Sequence, residues 1–253
     1  MGIFLLDTKI HDAIYAIYGF VRLADEIVDT MHEYNQADLL KEFVDDTWKA
    51  IYEKISLNPI LNSFQIVVNQ YAIDKECIRA FFNSMQMDLY KNYHDEKSYK
   101  DYILGSAEVV GLMCLSVFVN ANQEEYIRLK PYAMSLGAAF QKVNFLRDYK
   151  ADNNELGRVY FPQGLDLESK VSIMQDIDND LKHAVEGIRQ LPNNCRLGVY
   201  AAYILYLELF KKLKKASVED IKLRRFRVSN FKKLFLAVKA VSDINRGKLE
   251  VCV

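Results

Sequence analysis

The stretch Ile10-His11-Asp12-Ala13-Ile14-Tyr15-Ala16-Ile17-Tyr18-Gly19-Phe20-Val21-Arg22-Leu23-Ala24-Asp25-Glu26-Ile27-Val28-Asp29 decides the fold class. Ile10, Ile14, Ile17 and Val21 recur at spacings of three and four, the period of one helix face. The same helix carries Asp25 and Asp29, four residues apart and about 6 Å along the axis. Like charges at that spacing repel and weaken a helix. A divalent cation between them reverses that effect. Mg2+ prefers hard oxygen ligands, commonly takes one or two carboxylates and leaves its other positions to water and phosphate. Arg22, about one turn earlier, suits bidentate contact with phosphate. Taken alone, an Asp-x-x-x-Asp pair is more often a solvated helix face.

Outward from this segment the helical period continues nearly throughout. The chain has 253 residues, 51% of them hydrophobic and 26% charged, which supports a sizeable core and excludes a disordered or fibrous protein. Only 10 Gly and 4 Pro are present, too few for the turns of a sheet-rich fold. The expectation is one all-α domain spanning residues 1–253. Helices are predicted over 36–56, after an Asn58-Pro59 cap, from an Asp74 cap through Met87, over 97–118 and over 124–149 with a restart at Pro131. The pattern stops between Ala151 and Leu165, where Gly157, Pro162 and Gly164 mark a long loop. It resumes near Glu168, then over 194–215, and from Val218 to the end. Gly105, Gly111 and Gly137 fall inside helical patterns, each at a cost of about 1 kcal/mol relative to Ala. Close helix packing and room for a ligand explain them equally well.

Function classes narrow quickly. The formal charge is −1, from 33 basic and 34 acidic residues, so no global field favours nucleic acid. Cys77, Cys114, Cys195 and Cys252 are far apart and form no CxxC pair, which argues for small apolar roles rather than a thiolate metal site. The four His show no metal-ligand spacing. No basic region precedes the short apolar start, so no signal peptide is read. No run approaches about 18 uninterrupted apolar residues, so no transmembrane helix is expected. The expected location is cytoplasmic, with peripheral membrane contact through Lys211-Lys212-Leu213-Lys214-Lys215 and Arg224, Arg225 and Arg227 as one option. A solvated helix end is the simpler one for the lysines.

A second acidic cluster is Gln141-Lys142-Val143-Asn144-Phe145-Leu146-Arg147-Asp148-Tyr149-Lys150-Ala151-Asp152. Asp148 and Asp152 repeat the four-residue spacing, with Arg147 alongside. Gln141, Asn144 and Asp148 share one face as a polar stripe in an apolar helix. Two carboxylate pairs facing each other across a bundle suit a substrate whose leaving group is diphosphate, with apolar walls protecting the carbocation left behind.

On Ala13 through Asp29, Gln141 through Asp148, Gly157-Arg158-Val159-Tyr160-Phe161-Pro162, Tyr102 through Gly111, and Arg227-Val228, the sequence resembles the squalene/phytoene synthase family of head-to-head prenyltransferases. It is most similar to the bacterial phytoene-forming members. The resemblance covers nearly the whole chain. It implies an isoprenoid-synthase-type helical bundle around a central cavity. It implies Asp25, Asp29, Asp148 and Asp152 as Mg2+ ligands, with two prenyl diphosphates as substrates. Arg22, Tyr18, Arg147 and Arg227 would contact diphosphate, with Lys232 and Lys233 adding charge. Gln141 and Asn144 would line the polar mouth, Tyr102 would lie near the reacting carbons and Tyr206 near a diphosphate. Ser106, Ala107, Val110 and Gly137 would line the hydrocarbon tunnel.

The implied reaction joins two geranylgeranyl diphosphates to phytoene through a cyclopropylcarbinyl diphosphate. Two alternatives stand beside it: a squalene or dehydrosqualene synthase using farnesyl diphosphate, with NADPH needed only for squalene, and a non-catalytic relative acting in assembly or binding. The chain departs from the family in three places. Asp25-Glu26 replaces a paired Asp-Asp. Ser106-Ala107-Glu108 replaces Val-Ala-Gly, with Glu108 expected on an outer face rather than in the cavity. And the chain begins downstream of a Ser-Phe-containing segment that helps close the substrate site, so an N-terminal segment is expected to be missing.

Overall fold

The structure is a computed structural model describing residues 2–154 and 157–251. Two short 3-10 turns, Ile3–Leu5 and Thr8–Ile10, lead into α1 (His11–Asp29). Then follow α2 (Gln36–Glu53), α3 (Pro59–Gln70), α4 (Lys75–Tyr90) and α5 (Glu96–Ile103). A π-helical segment, Leu104–Glu108, joins α5 to α6 (Val109–Phe118). The chain continues through α7 (Gln123–Asn154), α8 (Leu167–Gln190), α9 (Asn193–Lys215), α10 (Val218–Leu223) and α11 (Asn230–Arg246). Among the described residues the only strand-like pairing is a bridge between Tyr93 and Val159.

The helix starts follow their caps. Asn58 accepts from the Ile60 and Leu61 amides ahead of Pro59, which needs no amide partner at the first helical position. Asp74 accepts from the Glu76 amide, and Asp95 and Asp166 each form a reciprocal capping box with a serine three residues on. Both sequence-predicted caps, Asn58 and Asp74, are present.

Three boundaries differ from expectation. α7 runs unbroken through Pro131. The carbonyl that Pro131 leaves without its usual donor belongs to Ile127, an exposed residue, so water can satisfy it. α7 also continues past Ala151 to Asn154, which keeps Asp148 and Asp152 on one helix. And the C-terminal stretch is not one helix. It breaks at Arg224, runs extended past the buried Val228, and restarts where Ser229 accepts from the Lys232 amide.

One continuous set of buried apolar side chains links all these elements. Phe20 of α1 is fully buried and stacks on Phe64 of α3 at 3.8 Å between ring centres, with Phe81 and Phe82 of α4 beside it. α7 packs most extensively on α8 and also against α6. Among the described residues one continuous helix, Glu96–Phe118, is long and apolar enough to cross a membrane by length and composition. Here Val109, Leu112, Met113, Leu115 and Val117 are buried in the bundle.

The π segment lies between α4 and α7. Two glycines permit this. A Cβ on Gly105 would collide with the Ala80 carbonyl and lie 2.7 Å from Ser84 Cβ. A Cβ on Gly137 would lie 2.8 Å from the Ala107 carbonyl oxygen. Of the two readings offered by the sequence, close packing explains Gly105, whereas Gly137 serves both, because it also borders the cavity described next. Cys77 and Cys195 are buried, Cys114 lines that cavity, and Cys252 lies outside the described residues.

Candidate active site

A cavity of about 410 Å³ lies between the N-terminal turn, the π segment, α6, α7, α8 and α9. Its walls are mostly apolar. Ser106, Ala107, Val110, Gly111 and Cys114 contribute one side, and Ala133, Leu136, Gly137 and Phe140 another. Gly2, Ile3 and Leu6 border it from the N-terminal turn, opposite Gly198. The Ser106 hydroxyl is buried without a hydrogen-bond partner. Glu108 is absent from the walls; burial and the nearby Asp180 carboxylate push its carboxyl up to about 7, against the pull of Lys142.

One face of α7 turns from apolar to polar along its length. Gly137 and Phe140 give way to Gln141 and Asn144 on the same wall, one helical turn apart. Tyr206 of α9 donates its hydroxyl to Asn144 Oδ1 at 3.0 Å, and its ring stacks on Phe140. One further turn along α7 is Asp148. Arg147 pairs with Asp148 at 2.6 Å, and so does Arg225 from the segment before α11.

The two acidic motifs come together here, though far apart in sequence. Arg158, in the loop after α7, is buried and reaches Asp29 of α1 at 2.7 Å. The same guanidinium lies 3.7 Å from Asp88 of α4 and donates to the Asp88 and Val28 carbonyls. Asp25 is pushed up to about 7 by burial first, then by Asp29 and Asp88, with Arg22 opposing. Asp152 is also pushed up to about 7, by burial and then by Asp148, with Arg158 opposing and Asp29 and Asp88 adding to the rise. Carboxylates of both motifs therefore sit in one electrostatic neighbourhood. Burial and mutual repulsion resist full ionisation there.

This donor set is all oxygen, and its excess negative charge fits a hard divalent cation such as Mg2+. Among the described residues no three acidic, His or Cys side chains converge closely enough to hold an ion alone. An ion at this place would therefore need oxygen ligands from elsewhere, as phosphate supplies.

The other predicted residues stand further out or deeper in. Tyr18 is exposed, and Arg22 is exposed and paired with Glu26 one turn on. Arg227 is exposed, and its carbonyl accepts from Lys212 Nζ. Tyr102 does not line the cavity. It is buried, with its hydroxyl donating to Asp88 at 2.8 Å and lying 3.5 Å from the Tyr160 hydroxyl. His94 stacks on Tyr160 in the same cluster.

The squalene/phytoene synthase family profile matches residues 1–173. The chain belongs to the squalene/phytoene synthase family. Phytoene synthase 1 of Solanum lycopersicum is 27% identical over 92% of the chain and 62% of its own length. The chain thus spans about three fifths of the length of the first plant relatives it matches. Phytoene synthase of Rhodobacter capsulatus is 25% identical, over 93% of the chain and 74% of that protein. A dehydrosqualene synthase solved with a ligand superposes with a TM-score of 0.79 at 21% identity, covering 97% of this chain and 90% of that one. That likeness is one of fold, and it gives the all-α, isoprenoid-synthase-type bundle expected from the sequence.

The sequence alone does not single out Asp88 and gives Arg158 no role, although Arg158 lies in the family-like stretch Gly157-Arg158-Val159-Tyr160-Phe161-Pro162. A signal for Asp88 existed. Phe81, Met85 and Asp88 follow the four-and-three spacing of the buried α4 face, so a carboxylate falls where an apolar side chain is expected. Buried carboxylates of that kind need partners, and Tyr102, Tyr160 and Arg158 supply them.

Proposed function

We propose that this chain, acting as one catalytic domain, performs the Mg2+-dependent head-to-head condensation of two geranylgeranyl diphosphates to phytoene. The single observation that carries this reading is the joining of two Asp-x-x-x-Asp motifs beside an apolar cavity. Membership of a family whose named relatives are phytoene synthases supports it.

Asp25, Asp29, Asp148 and Asp152 would hold Mg2+, which when bound supplies charge stabilisation for the departing diphosphate. The chain's own residues do the rest. Arg147 and Arg225, paired with Asp148 in the free protein, are placed to turn to diphosphate oxygens once that carboxylate is a ligand. Arg22, Tyr18 and Arg227 add donors at the exposed rim. Gln141, Asn144 and Tyr206 mark the change from polar mouth to dry cavity and orient the end of the prenyl chain. Ser106, Ala107, Val110 and Gly137 give width to the hydrocarbon and exclude water, which would otherwise quench an allylic cation.

In the first half-reaction the C–O bond to one diphosphate breaks. The resulting allylic cation is attacked by the double bond of the second substrate, and proton loss closes a cyclopropane ring. In the second half the remaining diphosphate leaves, the ring rearranges, and proton loss gives the triene. Tyr102, which does not line the cavity, acts through Asp88, to which its hydroxyl donates. Burial and Asp88 hold its hydroxyl protonated, so it acts as a fixed dipole rather than a base. No protein nucleophile is required.

The test is to incubate purified protein with Mg2+ and either geranylgeranyl or farnesyl diphosphate, with and without NADPH. A C40 triene independent of NADPH is expected. A C30 product alone would overturn the assignment in favour of squalene or dehydrosqualene synthesis, and no turnover with either substrate would favour a non-catalytic role.

A further inference from the structure

α11 shows an arrangement that neither the cavity nor the carboxylates explain. Its inner face, with Leu236 and Ala240 buried, packs against α9. Its outer face carries Phe231, Leu234, Phe235, Val238 and Val241, which are 40–84% exposed. Their spacings of three and four put all five on one stripe about 120° wide. A contiguous stripe of large apolar side chains facing outward marks an interaction surface.

The charge around the stripe says what covers it. Between Lys222 and Lys248 the chain has nine Lys or Arg and a single acidic residue, Asp243, in a protein of net charge −1. Asp243 is already engaged, accepting from Tyr200 at 2.8 Å and pairing with Lys239. Lys222, Arg224 and Arg227 are exposed before the helix, Arg224 paired with Asp220 at 3.0 Å, and Arg246 in its last turn and Lys248 just past it are exposed too, so cations border both ends of the stripe. Lys232 stands 5.5 Å over the Phe235 ring, beside the stripe. An apolar stripe bordered by basic residues is the pattern of a helix lying in the plane of an anionic membrane surface. A second copy fits poorly. Antiparallel pairing of two such faces would bring Lys222, Arg224 and Arg227 of one copy against Arg246 and Lys248 of the other, and like charges there repel.

We propose that the outer face of α11, with the basic segment 222–227, docks on an anionic lipid bilayer. The same segment supplies Arg225, which is 2.6 Å from Asp148. Docking therefore puts the carboxylate mouth next to the lipid surface, where amphipathic diphosphates and an insoluble hydrocarbon reside.

Vesicle co-sedimentation of the full chain tests this, and it reads binding rather than turnover, so it stands apart from the assigned reaction. Vesicles are phosphatidylcholine alone or phosphatidylcholine mixed with phosphatidylglycerol. The expected result is salt-sensitive binding to the mixed vesicles, with at least about tenfold weaker partitioning for the Phe231→Ser/Leu234→Ser/Phe235→Ser variant. Arg246→Glu/Lys248→Glu should weaken binding by about tenfold as well, through charge alone. The altered side chains are exposed, and an unchanged thermal midpoint confirms that each variant folds. Equal partitioning of wild type and the apolar variant would overturn the proposal. So would absent binding of wild type to the mixed vesicles, including the case where wild type sediments as a dimer that the apolar variant dissolves.

Discussion

The two ends of the site solve opposite problems. Along the cavity, Gly137, Ala107 and Val110 present no charge, and the close approach of α7 to the π segment leaves no room for even one added methyl at Gly137. At the mouth, Asp25, Asp88 and Asp152 are buried carboxylates crowded by one another and by Asp29 and Asp148, and burial disfavours their charged forms. The dry end is stable as it stands. The charged end is compensated only in part, by arginines, and so has capacity left for a cation and its anionic ligand. Stability sits in one region and binding capacity in the other.

The contrast can be broken most sharply at the mouth. Asp148→Ala should lower turnover by at least about a thousandfold while leaving far-UV circular dichroism nearly unchanged, because it would remove a proposed Mg2+ ligand and no packing. Persistent turnover would refute the metal assignment. Arg158→Ala should have the next largest effect, a loss of about 2–4 kcal/mol by denaturant titration, since it leaves Asp29 and Asp88 facing each other without the shared cation. Arg158→Lys should recover only part of this, for want of the second nitrogen that reaches the Asp88 and Val28 carbonyls. At the dry end, Gly137→Ala should cost about 1–3 kcal/mol in the same titration, from overpacking against the Ala107 carbonyl. A cost near zero would mean that α7 and the π segment can separate freely.

The smallest effect is in pH. Asp25 and Asp152 titrate near 7 in the folded chain against 3.8 for the free side chain. Between those values the folded state binds more protons than the unfolded one, so without metal stability falls as pH rises from about 4 to 7. The midpoint of thermal unfolding should drop by a few degrees across that window. The same scan on Asp25→Asn/Asp152→Asn should be flatter. A wild-type midpoint that climbs steadily to pH 7 would contradict the crowding of these carboxylates.

Much of this was legible in the sequence where a short-range pattern fixes the outcome. The i, i+3, i+4 spacing of Ile10, Ile14, Ile17 and Val21 marks α1, and Asn58 and Asp74 mark helix starts. The two Asp-x-x-x-Asp pairs were visible because each lies within one helix, where a four-residue spacing puts both side chains on one face. Less legible was whatever depends on a neighbour distant in sequence. Pro131 reads as a breaker until the exposure of Ile127 is known. The halt at Arg224 follows from Val228 being drawn into the core, an event with no local signature. Asp88 looks like a flaw in an apolar face until Arg158, seventy positions on, is seen beside it. Arg225 reads as one member of a basic run, and only the fold sets it against Asp148.

The π turn at Leu104–Glu108 has a consequence for how this chain can vary. A turn closed five residues apart rather than four holds one residue more than an α-helix needs, so it behaves as an insertion absorbed without a loop. Each residue of an α-helix advances the side-chain direction by about 100°. Removal of a single codon within the turn would leave a longer, more regular helix. It would also swing Val110 and Cys114 of α6 away from the cavity they now line. The bulge is a phase shifter between two helical rods, and the shape of the apolar cavity depends on its staying one residue out of step.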